Sequence, residues 1–153
     1  LLSEQDRSLW DKAAIRAGLY HLQKAGQGDA LTIYHLQAGI AACHALAPNY
    51  EATDWVAILN YYDQWLEIAP LPIVELNCAV ALSMVENPQA GLDAIDQISN
   101  LENYYLLHAT RAVLETRLGH VEASRGHYHN ALQLTNNDVE PCFLRRQLDT
   151  LSS

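Results

Sequence analysis

Basic residues are missing from the middle of this chain. Between Ala25 and Thr110 there is no Lys or Arg, while the same stretch holds ten carboxylates, from Asp29, Glu51 and Asp54 to Asp96 and Glu102. All nine basic residues lie towards the two ends, and the formal net charge is −9. Such a body repels phosphate backbones, whose capture requires Lys and Arg, so direct nucleic-acid contact is not expected. A basic protein surface is the complementary partner. The plainer alternative is an acidic face that only keeps the protein dispersed.

Cysteine is also scarce. Cys43, Cys78 and Cys142 are odd in number, form no C-x-x-C pair and stand among helical apolar residues. That excludes a disulfide framework and points to a reducing, cytoplasmic setting. No run of about 18 apolar residues occurs, so no helix is expected to cross a membrane. The opening Leu1-Leu2-Ser3-Glu4-Gln5-Asp6 lacks the basic segment and apolar core of a secretory leader. It also lacks an initiator Met, so the chain is expected to be a piece of a longer protein. Seven Gly and five Pro fall mostly between apolar stretches, which leaves almost no strand to expect.

What is present reads as helix throughout. The 153 residues are half hydrophobic, enough to build one core without staples, and a single domain over 1–153 is expected. A first helix is expected over Ser3–Ala25 and a second over Leu31–Ala47. Asn49–Thr53 reads as a loop, with Thr53 or Asp54 capping a third helix. There Trp55, Ile58, Leu59, Tyr62 and Leu66 recur at helical spacing. Pro72 opens a fourth helix and Asn87-Pro88 a short fifth. A sixth runs from Tyr104 to Leu118 and stops at Gly119, a seventh carries Val121, Tyr128 and Leu132, and Asp138 caps the last.

A spacing of 33 residues organises these helices. Tyr62, Ile95 and Tyr128 keep it, as do Ile68, Leu101 and Leu134, and Ala79 with Ala112. A period of about 34 residues built from two helices marks a tetratricopeptide-type array, whose pairs bury their faces by stacking. The fold class expected is all-α, a right-handed superhelix of about eight helices in hairpins. The small residues such an array needs stand at Ala79 and Ala112 in the first helix of a pair, and at Gly91 and Ser124 in the second. The repeat is degenerate, because its usual Trp position holds Glu75 and His108.

Four segments carry a family resemblance: Tyr34 through Ala45, Thr53-Asp54-Trp55, Val74 through Ala81, and Leu106 through Ala112. Together they resemble the C-terminal tetratricopeptide-like extension of bacterial extracytoplasmic-function sigma factors, over nearly the whole chain. The resemblance implies a non-catalytic regulatory domain without cofactor. It implies partners in the sigma regions of the same full-length protein or in the RNA polymerase core. Departures are Thr32-Ile33 where the family has Gly-Pro, Cys78 where it has Arg, and Glu140-Pro141 near the end. The residues it singles out as structural or contact positions are Tyr34, Gln37, His44, Asp54, Trp55, Asn77, His108 and Arg111.

Chemistry-bearing patterns are weak. His127-x-His129 places its rings on opposite sides of a helix, and no H-E-x-x-H accompanies the seven histidines. No metal site is expected. No Gly-rich loop follows a strand, so neither a nucleophile elbow nor a catalytic set is expected. Gln37, Asn77, His108 and Arg111 interrupt apolar helices and are expected to join in an internal hydrogen-bonded network, with contact to a ligand or peptide as the rival. The first helices of the pairs would line an apolar groove with Leu36, Gly39, Cys43, Ile73, Leu76, Val80, Leu106, Ala109 and Val113. An internal helix, a partner segment or a second copy of the chain in a homodimer would fill it. The alternative function is a small-molecule sensor holding its ligand in that groove.

Overall fold

A computed structural model describes residue 2 and residues 5–26, 31–135 and 140–151. The chain is all-α: among the described residues there are eight α-helices and no strand. These are α1 (Lys12–Ala25), α2 (Ile33–Leu46), α3 (Trp55–Ile68), α4 (Pro72–Val85), α5 (Pro88–Ile95), α6 (Tyr105–Leu118), α7 (Val121–Leu134) and α8 (Glu140–Thr150). Within α1–α3 and within α4–α8 each helix packs on the next, with the closest pairs being α2 with α3, α4 with α5, and α6 with α7. The described chain forms two compact units, Leu1–Pro70 and Leu71–Ser153.

Local chemistry sets the helix starts. Asp54 accepts from the Ala57 N–H at 3.0 Å and begins α3. Asn87 accepts from the Ala90 N–H at 3.0 Å, with Pro88 in the first turn of α5. Both match the expected caps. Gly119 ends α6 in the left-handed region at φ 79°. The expected Asp138 cap lies outside the described residues.

The first expected helix is corrected. A 3₁₀ turn over Arg7–Leu9 comes first, and α1 begins only at Lys12. Two aspartates cause the break. Asp6 caps the turn through the Ser8 N–H, and Asp11 caps α1 through the N–H groups of Ala13 and Ala14. Each N-cap residue takes extended backbone angles, which interrupts a continuous helix.

In the first unit, Leu36, Ile40, Trp55 and Ile58 are buried between α2 and α3. Tyr61 lies so close to Gly39 that an added Cβ would stand 2.8 Å from its ring. In contrast, α1 has no buried residue. It packs on α2, and Ile15, Leu19 and Leu22 face Ala38, Ala42 and Ala45 across a cavity between the two helices.

In the second unit, Leu76, Ala79, Leu92, Ile95, Leu107 and Leu114 form one core across α4, α5 and α6. Ala109, Ala112, Tyr128, Ala131 and Leu144 continue it through α7 to α8. The small residues placed by the repeat are all buried: Ala79, Ala112, Gly91 and Ser124. Ser124 also donates to the Ala112 carbonyl at 2.8 Å, and Thr116 stands 2.6 Å from its hydroxyl. Burial raises the Tyr128 phenol above its ordinary value, and a bond with Thr116 pulls the other way.

The residues assigned to a continuous apolar groove divide differently. Leu36, Gly39, Leu76 and Ala109 are buried within their own units, whereas Ile73 and Val113 are exposed. The buried ones are consumed by packing inside their own units.

Gly91 provides a direct test of the close α4–α5 approach. A Cβ there would meet Ser83 Cβ at 2.6 Å and the Ala79 carbonyl at 3.0 Å. Gly91→Ala is expected to lower stability by about 1–3 kcal/mol through overpacking. Gly126→Ala, in open space on α7, is expected to raise it by about 0.5–1 kcal/mol. Thermal or denaturant unfolding of the two variants checks both signs.

Candidate functional site

Two polar clusters, one in each unit, contain residues picked out from the sequence. In the first, the end of α2, the loop after it and the start of α3 meet around Arg7. Its Nη1 donates to the carbonyls of His44 at 2.8 Å and Ala47 at 2.9 Å. Its Nη2 stands 3.5 Å from Thr53 Oγ1. The guanidinium also lies 5.2 Å from the centre of the Trp10 ring. The last carbonyls of a helix have no partner within it and carry the negative end of its dipole, so a cation there satisfies both.

Behind this clasp the aromatic rings lock together. Trp55 meets His44 edge-on at 5.3 Å and Tyr50 at 5.0 Å. Its indole N–H donates to the Tyr50 carbonyl at 3.3 Å. Three of the residues picked out from the sequence, His44, Asp54 and Trp55, therefore stand together. His44 Nδ1 is buried without a hydrogen-bond partner among the described residues. Burial first, and then the charge of Arg7, hold His44 below its ordinary pKa. Neighbouring Cys43 is pushed up by burial and by Asp54. A thiol so disfavoured from ionising is the reverse of an activated nucleophile.

The second cluster joins α5, α6 and α7. The rings of His108 and His127 stack 6.0 Å apart at 28°. His108 Nε2 lies 2.9 Å from the Glu102 carbonyl. A carbonyl only accepts, so Nε2 carries the proton and, in the neutral ring, Nδ1 is left as a bare lone pair. Nδ1 of His127 is likewise buried and unpartnered among the described residues. Arg111 pairs with Asp96 at 2.6 Å, and both side chains are partly open to solvent. A pair so exposed contributes about 0–1 kcal/mol. Burial is the main cause that lowers the His127 pKa; Arg111 and His108 add to it, while Glu115 and Asp96 oppose it.

The expected four-residue network takes a smaller form. His108 and Arg111 stand one turn apart in the second unit, and each has found a partner. Gln37 on α2 and Asn77 on α4 are exposed, and neither joins them. Tyr34 is 81% exposed at the start of α2. The opposed rings of His127 and His129 are observed: the first faces α6, and the second is exposed beside α8. Arg7 and Asp96 were not singled out from the sequence, and His127 was weighed only as half of a metal pair. The partners of Arg7 lie 37 and 40 residues away, and no local pattern marks so distant a pairing. Among the described residues no group of three or more His, Cys, Asp or Glu gathers where a metal ion could be held. None of their helices is long and apolar enough to cross a membrane.

No family model matches this chain. It is similar to an uncharacterized protein of Rhizobium meliloti (strain 1021), 36% identical over 154 residues, which covers the whole of this chain and 36% of that protein. The chain thus spans little more than a third of the length of the curated relative it matches.

Two outcomes are expected from these clusters. Arg7→Gln removes the cation from the end of α2 and should cost about 1–2 kcal/mol. Arg16→Gln, exposed on α1, should stay within about 0.5 kcal/mol. Chemical denaturation compares the two. The histidines set a pH dependence. His44 and His127 have folded-state pKa values below the ordinary 6.5, so the unfolded chain takes up their protons first. Their stabilising contribution is complete above about pH 6.5 and is lost as pH falls through the lower folded values. Melting temperature should fall on acidification from pH 7.5 to 5, and His127→Gln should flatten that slope.

Proposed function

We propose that this domain is the non-catalytic regulatory extension of an extracytoplasmic-function sigma factor. It would act in transcription initiation, in the cytoplasm, by contacting the sigma regions of its own chain or the RNA polymerase core, with no direct hold on DNA. The observation that carries this is Tyr34. It belongs to the first motif of the resemblance, yet it is 81% exposed and builds none of the core. A large aromatic side chain that packing does not use is suited to anchor a partner. Leu46 and Val56, on α2 and α3 of the same unit, are also mostly exposed.

Two further features support the proposal. Cations are absent from residues 26–109, and a surface of one sign steers and selects a basic partner. The relative is far longer than this chain, as expected if such a domain is one part of a larger protein. The half-buried thiol of Cys43, raised by burial and by Asp54, is poorly suited to act as a nucleophile and favours contact over reaction.

A second function has one observation in its favour. A cavity of about 240 Å³ lies between α1 and α2, walled by apolar residues such as Ile15, Leu19 and Ala42. Ligand sites usually exceed about 300 Å³ and present polar anchors. This one is smaller and its lining residues are all apolar, so sensing of an apolar ligand ranks below partner contact.

Co-expression with the sigma regions that precede the extension in such a factor tests the proposal. The two parts are expected to co-purify, less so as salt rises from 50 to 500 mM, because screening weakens exposed charge attraction. Tyr34→Ala should weaken the association about tenfold or more, the effect of removing one aromatic anchor. Absence of association at low salt would reject the proposal. Association indifferent to salt but lost with Tyr34→Ala would move its basis from charge to apolar contact.

A further inference from the structure

Helix α1 is loosely seated. None of its 14 residues is buried, although it is amphipathic. Ile15, Leu19 and Leu22 line a cavity of about 240 Å³ between it and α2. Gly18 lies on the same side, in the middle of α1. A Cβ added there would meet no atom within 4 Å. Glycine weakens a helix interior through its backbone entropy. Here no close approach requires it, and the space that a side chain would fill is left empty. Both features loosen the middle of the helix.

The ends are fastened. Ahead of α1, Arg7 is clasped to the carbonyls of His44 and Ala47. At the carboxyl end, His35 Nε2 donates to the Ala25 carbonyl at 3.3 Å. Trp10 and Asp11, between the Arg7 turn and α1, have extended backbone. They give α1 a hinge about which it can lift while the Arg7 clasp stays closed. Lifting breaks the long bond from His35 and the thin apolar contact, and the clasp keeps the helix near enough to reseat.

What α1 covers gives its release a use. Ala38, Ala41 and Ala45 of α2 wall the cavity. Steps of four, three and four residues lead from Tyr34 through Ala38 and Ala41 to Ala45, so the four share one stripe of α2. Tyr34, at the amino end of that stripe, is 81% exposed, and α1 lies over the rest. A partner anchored on Tyr34 can extend along α2 only where α1 has left. We propose that α1 is a releasable strap over this stripe, and that docking of the sigma regions on Tyr34 displaces it, a step that rests on the function proposed above.

Trypsin reads the release without a partner. Lys12, Arg16 and Lys24 lie on α1, and no Lys or Arg occurs over residues 26–109. When reclosing outruns cleavage, the rate at Arg16, relative to the same bond in a free peptide spanning α1, equals the open fraction. Arg16 is expected to be cut well before Arg117 in α6. Gly18→Leu fills the cavity and removes the weakening glycine, and should lower the open fraction about tenfold. Leu19→Ala removes contact without weakening the helix, and should raise it about threefold or more. Apparent affinity for the sigma regions scales with the open fraction. The first variant should therefore weaken their binding and the second tighten it, by matching factors. Tyr34→Ala should weaken binding and leave the trypsin rate unchanged. Cleavage at Arg16 no faster than at Arg117 overturns the strap, as does a Gly18→Leu rate equal to that of the unaltered chain. Trypsin rates that shift as expected beside an affinity common to all three forms overturn its displacement by docking. If no form binds while the trypsin rates keep the expected order, the sigma reading fails and the strap stands.

Discussion

Arginine at the carboxyl ends of helices is the interaction on which much of this architecture depends. Arg7 donates to two carbonyls at the end of α2, Arg117 to the Ser83 carbonyl at the end of α4, and Arg125 to Leu151 at the end of α8. Each bond joins segments far apart in the chain. Each also places a positive charge where the helix dipole is negative and carbonyls lack partners. Helices α2 and α4 lie wholly inside the stretch that has no basic residue, so neither can supply its own cation. One takes it from the segment before that stretch and the other from the segment after. The charge distribution is thus tied to packing as well as to solubility.

Packing between consecutive helices supplies the rest. Gly39 and Gly91 let α3 and α5 approach their preceding helices closely. Ser124 performs the same task between α6 and α7 and satisfies its own hydroxyl against Ala112. Within this scaffold His44 and His127 are half-enclosed imidazoles, kept neutral by burial and by nearby cations. Each has a buried ring nitrogen with no hydrogen-bond partner among the described residues.

Signals confined to a few residues were readable in the sequence. Pro72, Asn87-Pro88, Asp54 and Gly119 mark helix ends because capping acts within one turn. The 33-residue spacing located Ala79, Gly91, Ala112 and Ser124, since a repeated contact demands a repeated small side chain. The break before α1 was not read, because Asp6 and Asp11 act as caps only through their extended backbone angles, which the residue type alone does not fix. Gln37 and Asn77 were placed in a network because their neighbours are apolar. Yet α2 and α4 carry apolar residues nearly all round, so neighbour polarity does not reveal which side faces water. The stacking of His108 on His127 links residues nineteen apart on two helices. Only the relative rotation of α6 and α7 fixes it, and no sequence period encodes that angle.

The thin attachment of α1 carries a consequence for cooperativity. A helix with no buried residue gains little from tertiary burial and is too short to persist alone. Its loss from α2 would therefore cost less than opening the α2–α3 hairpin on which it packs. Amides along Lys12–Ala25 are expected to exchange with solvent well before those around Leu36, Trp55 and Ile58.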